Sequence, residues 1–190
     1  MHQNQSKRVA HGLQFNVAQL LKDVTGATRT YDIDTPTVGE LDDELKIVSA
    51  ITGWVKLLRT GRDILVTGSL NTTIQRACGR CLTDFTAPIS VELEEEFFPT
   101  LDVSTGAILP TDTDADEANR IDEHHILDLW EVVRQEMLLA SDDILYCRPD
   151  CKGLCPHCGQ DRNVNPCTCQ DEIIDPRWSS LLTLPQSDNE

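Results

Sequence analysis

Eight cysteines fall into four close pairs: Cys78-Gly79-Arg80-Cys81, Cys147 with Cys151, Cys155-Pro156-His157-Cys158, and Cys167-Thr168-Cys169. A C-x2-C turn presents two sulfurs to one side of an ion, while the backbone N–H groups between them hydrogen-bond the thiolates. Gly79 and Gly159 suit such tight turns, since glycine accepts positive φ. One pair is a weak signal, but four pairs in one chain point to two tetrahedral four-thiolate sites, each closed around a structural zinc ion.

Spacing leaves two pairings open. In the first, Cys155, Cys158, Cys167 and Cys169 close a local knuckle around the intervening GQDRNVNP, and Cys78, Cys81, Cys147 and Cys151 form a long-range clip. In the second, Cys147/Cys151 join Cys155/Cys158, and Cys78/Cys81 join Cys167/Cys169. The first fits loop-closure reasoning better. Spacing does not choose zinc over an iron–sulfur cluster. A redox dithiol at C-G-R-C needs a helix starting at its first cysteine. LTDFTAPISVEL, which follows, reads as strand instead. His157 lies inside a cysteine turn and reads as exposed, as do His124 and His125. No Ser–His–Asp arrangement, phosphate-binding glycine loop or catalytic carboxylate pair stands out, so a non-enzymatic protein is expected.

The elements that must hold these cysteines read as an α+β fold: an antiparallel β-meander or small partly open barrel, one main packing helix, and a C-terminal zinc-binding region. Residues 1–98 form a β-rich part behind a loose polar lead, with alternating Leu13, Phe15 and Val17 and a short helix from Ala18 to Lys22 ended by Gly26. Tyr31 to Asp43 reads as strand ends and loops. From Glu44 onward Val, Ile, Leu and Thr dominate, with a hairpin turn at Thr60-Gly61. Ile89, Val91 and Leu93 alternate with Ser90, Glu92 and Glu94, a half-buried strand. Residues 99–122 read as an acidic flexible linker. Residues 123–184 hold a helix over Glu123–Ala140, with Ile126, Trp130, Val133, Met137 and Ala140 in one stripe, Asp122 as N-cap, and the cysteine-rich region packing back on the sheet. A last helical turn, with Asp175 as cap and Pro176 first, is anchored by Trp178, Leu181 and Leu182; residues 185–190 form a disordered tail.

The formal net charge is -16 over 190 residues, which repels phosphate backbones from the chain as a whole. The asymmetry matters more. Residues 1–80 carry 10 Lys and Arg against 8 Asp and Glu, a net +2, whereas residues 81–190 carry 6 against 24, a net -18. No apolar run is long enough for a membrane span or signal peptide, so a cytoplasmic protein with reduced thiols is expected.

CGRCLTDF after a strand, then C-x3-C-K-G-L-C-P-x-C-G-x-x-x-N, C-x-C and IDPRW, resembles the YceD family of large ribosomal RNA subunit accumulation proteins, most densely over residues 76–98 and 124–182. The family's usual N-L-N run is here Asp161-Arg162-Asn163, and no ligand changes with it. Some members lack the last four cysteines, which implies a separable second site and favours the first pairing. The resemblance implies a non-enzymatic role in 23S ribosomal RNA synthesis, processing or stability. The expected partner is a large-subunit precursor, through its RNA or a basic ribosomal protein, with no membrane and no small-molecule substrate. Lys56, Arg59, Arg62, Arg76 and Arg80 are the candidate RNA contacts if the hairpin places them on one edge. The alternatives are a zinc-stabilised interaction module outside ribosome assembly, or a dithiol redox protein.

Overall fold

The computed structural model describes residues 12–36, 39–41, 45–110, 117–141, 146–169 and 177. Strand β1 (Gln14–Asn16) and helix α1 (Ala18–Lys22) precede β2 (Thr28–Thr35), β3 (Gly39–Glu40), β4 (Lys46–Ile47), β5 (Ile51–Arg59), β6 (Ile64–Ala77) and β7 (Asp84–Pro99). Then come β8 (Arg120–Ile121), β9 (Ile126–Asp128) and α2 (Trp130–Ser141). The fold is α+β.

Strand β6 is the spine. All of it pairs antiparallel with β7, from Ile64↔Phe97 to Ala77↔Asp84. Its other side pairs first with β5 and then with β4, which pairs with β3, while β2 pairs with β5 along its whole length. A short parallel pairing of β8 with the end of β7 makes this seven-stranded sheet mixed. The sheet is open, since no pairing among the described residues closes it into a barrel. The Thr60-Gly61 turn joins β5 to β6, with Thr60 N–H donating to the Asp63 carbonyl.

Alternation builds the core. Ile64, Val66, Leu70 and Ile74 of β6 and Ile89, Val91, Leu93 and Phe97 of β7 all face one side and are buried. Val132, Val133 and Met137 of α2 cover that face with β1, β9 and α1, forming one cluster with the sheet residues. Each such side chain contributes about 1.5–3 kcal/mol on burial. No described helix is long and apolar enough to cross a membrane.

Four sequence expectations meet a different structure. The main helix begins at Trp130, not Glu123. Asp122 Oδ1 accepts the N–H groups of His124 and Ile126, and His125 sits at φ 59, a turn that cannot continue as a helix. Ile126 therefore pairs with Asn16 across β9 and β1, and Asp128, whose Oδ1 accepts Trp130 N–H, takes the helix-starting role given to Asp122. His125 is half-buried rather than a surface residue. The segment from Tyr31, read as strand ends and loops, contains most of β2, whose Ile33 and Thr35 point inward while Asp32 and Asp34 face solvent. Within 99–122, expected to be a flexible linker, residues 100–110 form a bridged turn, with Leu101 opposite Ile108 and Asp102 capping Ser104 and Thr105. Ile121 is fully buried. Residues 111–116, the C-terminal helical turn apart from Arg177, and the tail lie outside the described residues.

Gly53 has φ +147, and a Cβ there would collide with the Ser69 carbonyl oxygen of β6. Gly53→Ala is expected to lower stability by about 1–3 kcal/mol, read as a drop in thermal midpoint of the metal-loaded protein.

Candidate metal centres

The turn of the β6–β7 hairpin is itself the first cysteine pair. Cys78 N–H donates to the Thr83 carbonyl, and Leu82 N–H donates to the Cys78 carbonyl. The left-handed residue in this turn is Leu82, at φ 57, rather than Gly79. No helix follows Cys81, because β7 begins at Asp84. The helix N-terminus that activates a redox dithiol is missing.

Cys147 and Cys151 complete the first group. Cys78 Sγ lies 3.9 Å from Cys151 Sγ, and Cys81 Sγ lies 3.8 Å from Cys147 Sγ. All four sulfurs lie within 4.8 Å of one another. A regular tetrahedron around an ion with metal–sulfur bonds of about 2.3 Å has edges of about 3.8 Å. Disulfides would need about 2.05 Å. A polynuclear iron–sulfur cluster spreads its cysteines over several irons and needs wider separations than a single ion. Three of the four residues are buried and Cys147 is half-buried. Cys78 Sγ accepts N–H bonds from Arg80 and Cys147, both at 3.4 Å, and Cys151 Sγ accepts one from Asn163 Nδ2 at 3.5 Å.

Cys155, Cys158, Cys167 and Cys169 form the second group, again within 4.8 Å. This is the grouping of the first pairing scheme. Gly159, at φ 73, donates its N–H to the Cys155 carbonyl, and Cys155 N–H donates to the Gln160 carbonyl. Arg162, where the family pattern has leucine, places Nη2 3.8 Å from Cys155 Sγ. His157 is exposed.

The electrostatics of both groups favour a cation. Burial pushes the Cys78 thiol up, but N–H groups of Cys147, Cys81 and Arg80 outweigh it and lower the pKa to about 6. Burial and its neighbouring thiols raise Cys147 to about 12. In the second group, N–H groups of Cys158 and His157 lower Cys155 to about 6, while the Cys158 thiol and burial raise Cys169 to about 12. Each quartet gives up one proton readily and holds its last one, because neighbouring thiolates repel. A divalent ion reverses that repulsion and makes all four thiolates stable.

The two groups abut. Leu154 N–H donates to the Arg80 carbonyl at 2.9 Å, and Gly153, at φ 69, lies so close that a Cβ would sit 2.9 Å from that oxygen. Arg80 Nη1 also donates to the carbonyls of Pro149 and Cys151, and its guanidinium lies 3.9 Å from the Tyr146 ring centroid. Sequence reasoning named Arg80 as an RNA contact and missed both Tyr146 and the part played by Asn163.

The five basic candidates do not gather on one edge. Lys56, Arg59 and Arg62 lie toward the Thr60-Gly61 end, and Arg76 and Arg80 at the cysteine end, separated by roughly 40 Å of strand. Arg59 Nε donates to the Gly61 carbonyl, Arg62 pairs with Asp63 at 3.7 Å, and Arg76 Nη1 donates to the Ser141 carbonyl at the end of α2. Lys56 is exposed on the outer sheet face.

Residues 66–185, which include all eight cysteines, match the family described as "Large ribosomal RNA subunit accumulation protein YceD". The chain belongs to the YceD family. Among curated proteins it is similar to uncharacterized proteins of Mycobacterium tuberculosis and Mycobacterium bovis, 33% identical over 151 residues. Each of these matches covers 78% of this chain and 64% of the relative. An uncharacterized protein of Mycobacterium leprae is 26% identical over 167 residues, covering 84% of this YceD-family chain and 71% of its own length. No solved structure matches the chain significantly.

Metal analysis of purified protein is expected to give two zinc ions per chain. Cys81→Ser and Cys151→Ser should each lose the same ion, and Cys158→Ser the other; loss of one shared ion from Cys151→Ser and Cys158→Ser would instead support the second pairing. Zinc transfer to a chromophoric chelator should increase as the pH falls, because protons compete with the ion for the thiolates.

Proposed function

We propose that this chain is a zinc-stabilised, non-enzymatic accessory protein of large ribosomal subunit biogenesis, acting in the synthesis, processing or stability of 23S ribosomal RNA. The family match carries the ribosomal part of this reading. The non-enzymatic part rests on the donor sets. A catalytic zinc keeps an open position beside three protein ligands, whereas each quartet here offers four thiolates to one ion. A cytoplasmic location belongs to the same reading.

The geometry favours a basic ribosomal protein over RNA as the direct partner. Arg76 and Arg80 are engaged in holding the fold, so their guanidiniums are not poised for phosphates. The sheet's outer face is acidic. Across paired strands it runs Asp32, Trp54, Ser69, Glu92 in one row and Thr30, Lys56, Thr67, Glu94 in the next. Trp54 is 43% exposed at the centre of this face. Asp32 directly opposite the exposed indole, with Glu92 and Glu94 two strands away on the same face, suits lysine and arginine side chains, by charge and by cation–π contact.

Co-sedimentation with large-subunit precursors tests the reading. Glu92→Lys/Glu94→Lys is expected to lower association at least tenfold, and Arg59→Ala/Arg62→Ala to leave it nearly unchanged. The reverse pattern would assign the contact to RNA. Failure of the native chain to co-sediment would leave a zinc-stabilised interaction module outside ribosome assembly.

A further inference from the structure

We propose that the second four-thiolate group buttresses the first, and that Asn163 is the positioning residue through which it acts. This rests on both groups holding metal, as read above. Asn163 lies midway along the loop between Cys158 and Cys167, so an ion in the second group closes the loop that carries it. Its side chain does not face the quartet that encloses it. Nδ2 reaches across to Cys151 Sγ of the first group at 3.5 Å, and also donates to Asp161 Oδ1 at 2.7 Å. Oδ1 accepts Lys152 N–H and Arg148 Nη2, both at 2.8 Å.

These four bonds use both amide hydrogens and both lone pairs of the oxygen. They also fix which way the amide points. A flipped amide would set its oxygen against the Cys151 sulfur and the Asp161 carboxylate, and its NH2 against two donors. The loop therefore grips the Cys147–Cys151 turn by backbone, side chain and sulfur together. An N–H bond to a ligating thiolate delocalises its charge and orients its sulfur, and hydrogen-bonding partners of metal ligands typically change affinity 10–100-fold. The Leu154 N–H bond to Arg80 joins the same two regions from the other side. Opening the knuckle frees both anchors at once. By linkage, each metal then tightens the other.

Asn163→Asp removes the donor end of this side chain in the full chain. A carboxylate still accepts from Lys152 and Arg148, but it cannot donate to Cys151 or Asp161 and sets negative charge against both. Zinc-loaded protein is equilibrated with chelator at stepped free zinc, alkylated, and mapped by mass spectrometry, so that each quartet's protection is read separately. Asn163→Asp is expected to expose Cys78, Cys81, Cys147 and Cys151 at free zinc about 10–100-fold higher than in the native chain, while protection of the second quartet shifts less. Cys158→Ser, which opens the knuckle, should weaken the first site comparably, and adding Asn163→Asp to it should cost little more. The cobalt-loaded Asn163→Asp protein should show a shifted thiolate-to-metal charge-transfer band. First-site protection unchanged in both Asn163→Asp and Cys158→Ser overturns the proposal and makes the sites independent. Should the aspartate variant misfold, Asn163→Ala, which removes donor and acceptors together, replaces it in the same comparison. Failure of the native chain to retain zinc in either quartet sinks the metal reading itself.

Discussion

Four thiolates within 4.8 Å of one another carry more like charge than a buried turn can hold unaided. The protein gathers such a quartet where its longest hairpin ends and where the chain returns after α2. Cys81 and Cys147 are 66 residues apart in sequence, and everything between them, including β7, β8, β9 and α2, lies inside the loop they close. As a covalent link, a closure of that length would contribute about 4 kcal/mol by chain entropy. The hydrophobic face of the sheet supplies most of the folding energy, but the quartet decides where the chain after α2 must lie.

What was legible in the sequence was what local chemistry determines. The cysteine pairs declare a metal because four soft donors in tight turns have few other uses, and β6 and β7 declare themselves by strict alternation. The start of α2 was not legible. Ile126 falls in phase with Trp130, Val133 and Met137, so periodicity extends the helix about two turns too far, and only the left-handed His125 and the pairing of Ile126 with Asn16 stop it. β2 was hidden because its outward residues, Asp32 and Asp34, are poor strand formers, tolerated where they face solvent. The arginines show a different gap. Their charge is visible in sequence, but whether each is engaged inside the fold depends on partners such as Ser141 and Tyr146, which lie 65 or more residues away.

The fold also separates two environments. At one end of β6, basic side chains and carbonyls knit the cysteine turns together; over its outer face, carboxylates of β2 and β7 flank threonine and serine.

Strand β7 carries a further consequence, for copies of the chain rather than for partners. Among the described residues, its edge from Asp84 to Phe97 has no neighbouring strand beyond β6; β8 covers only Phe98 and Pro99. So long an edge without a partner strand is a template for aggregation. Pro88 lacks the N–H that continuous pairing would need, and Glu92, Glu94 and Glu96 would meet the same acidic row on an approaching copy. The residues that make the outer face acidic thus also act as its guard, keeping a second copy from adding its own strand to a long sheet edge.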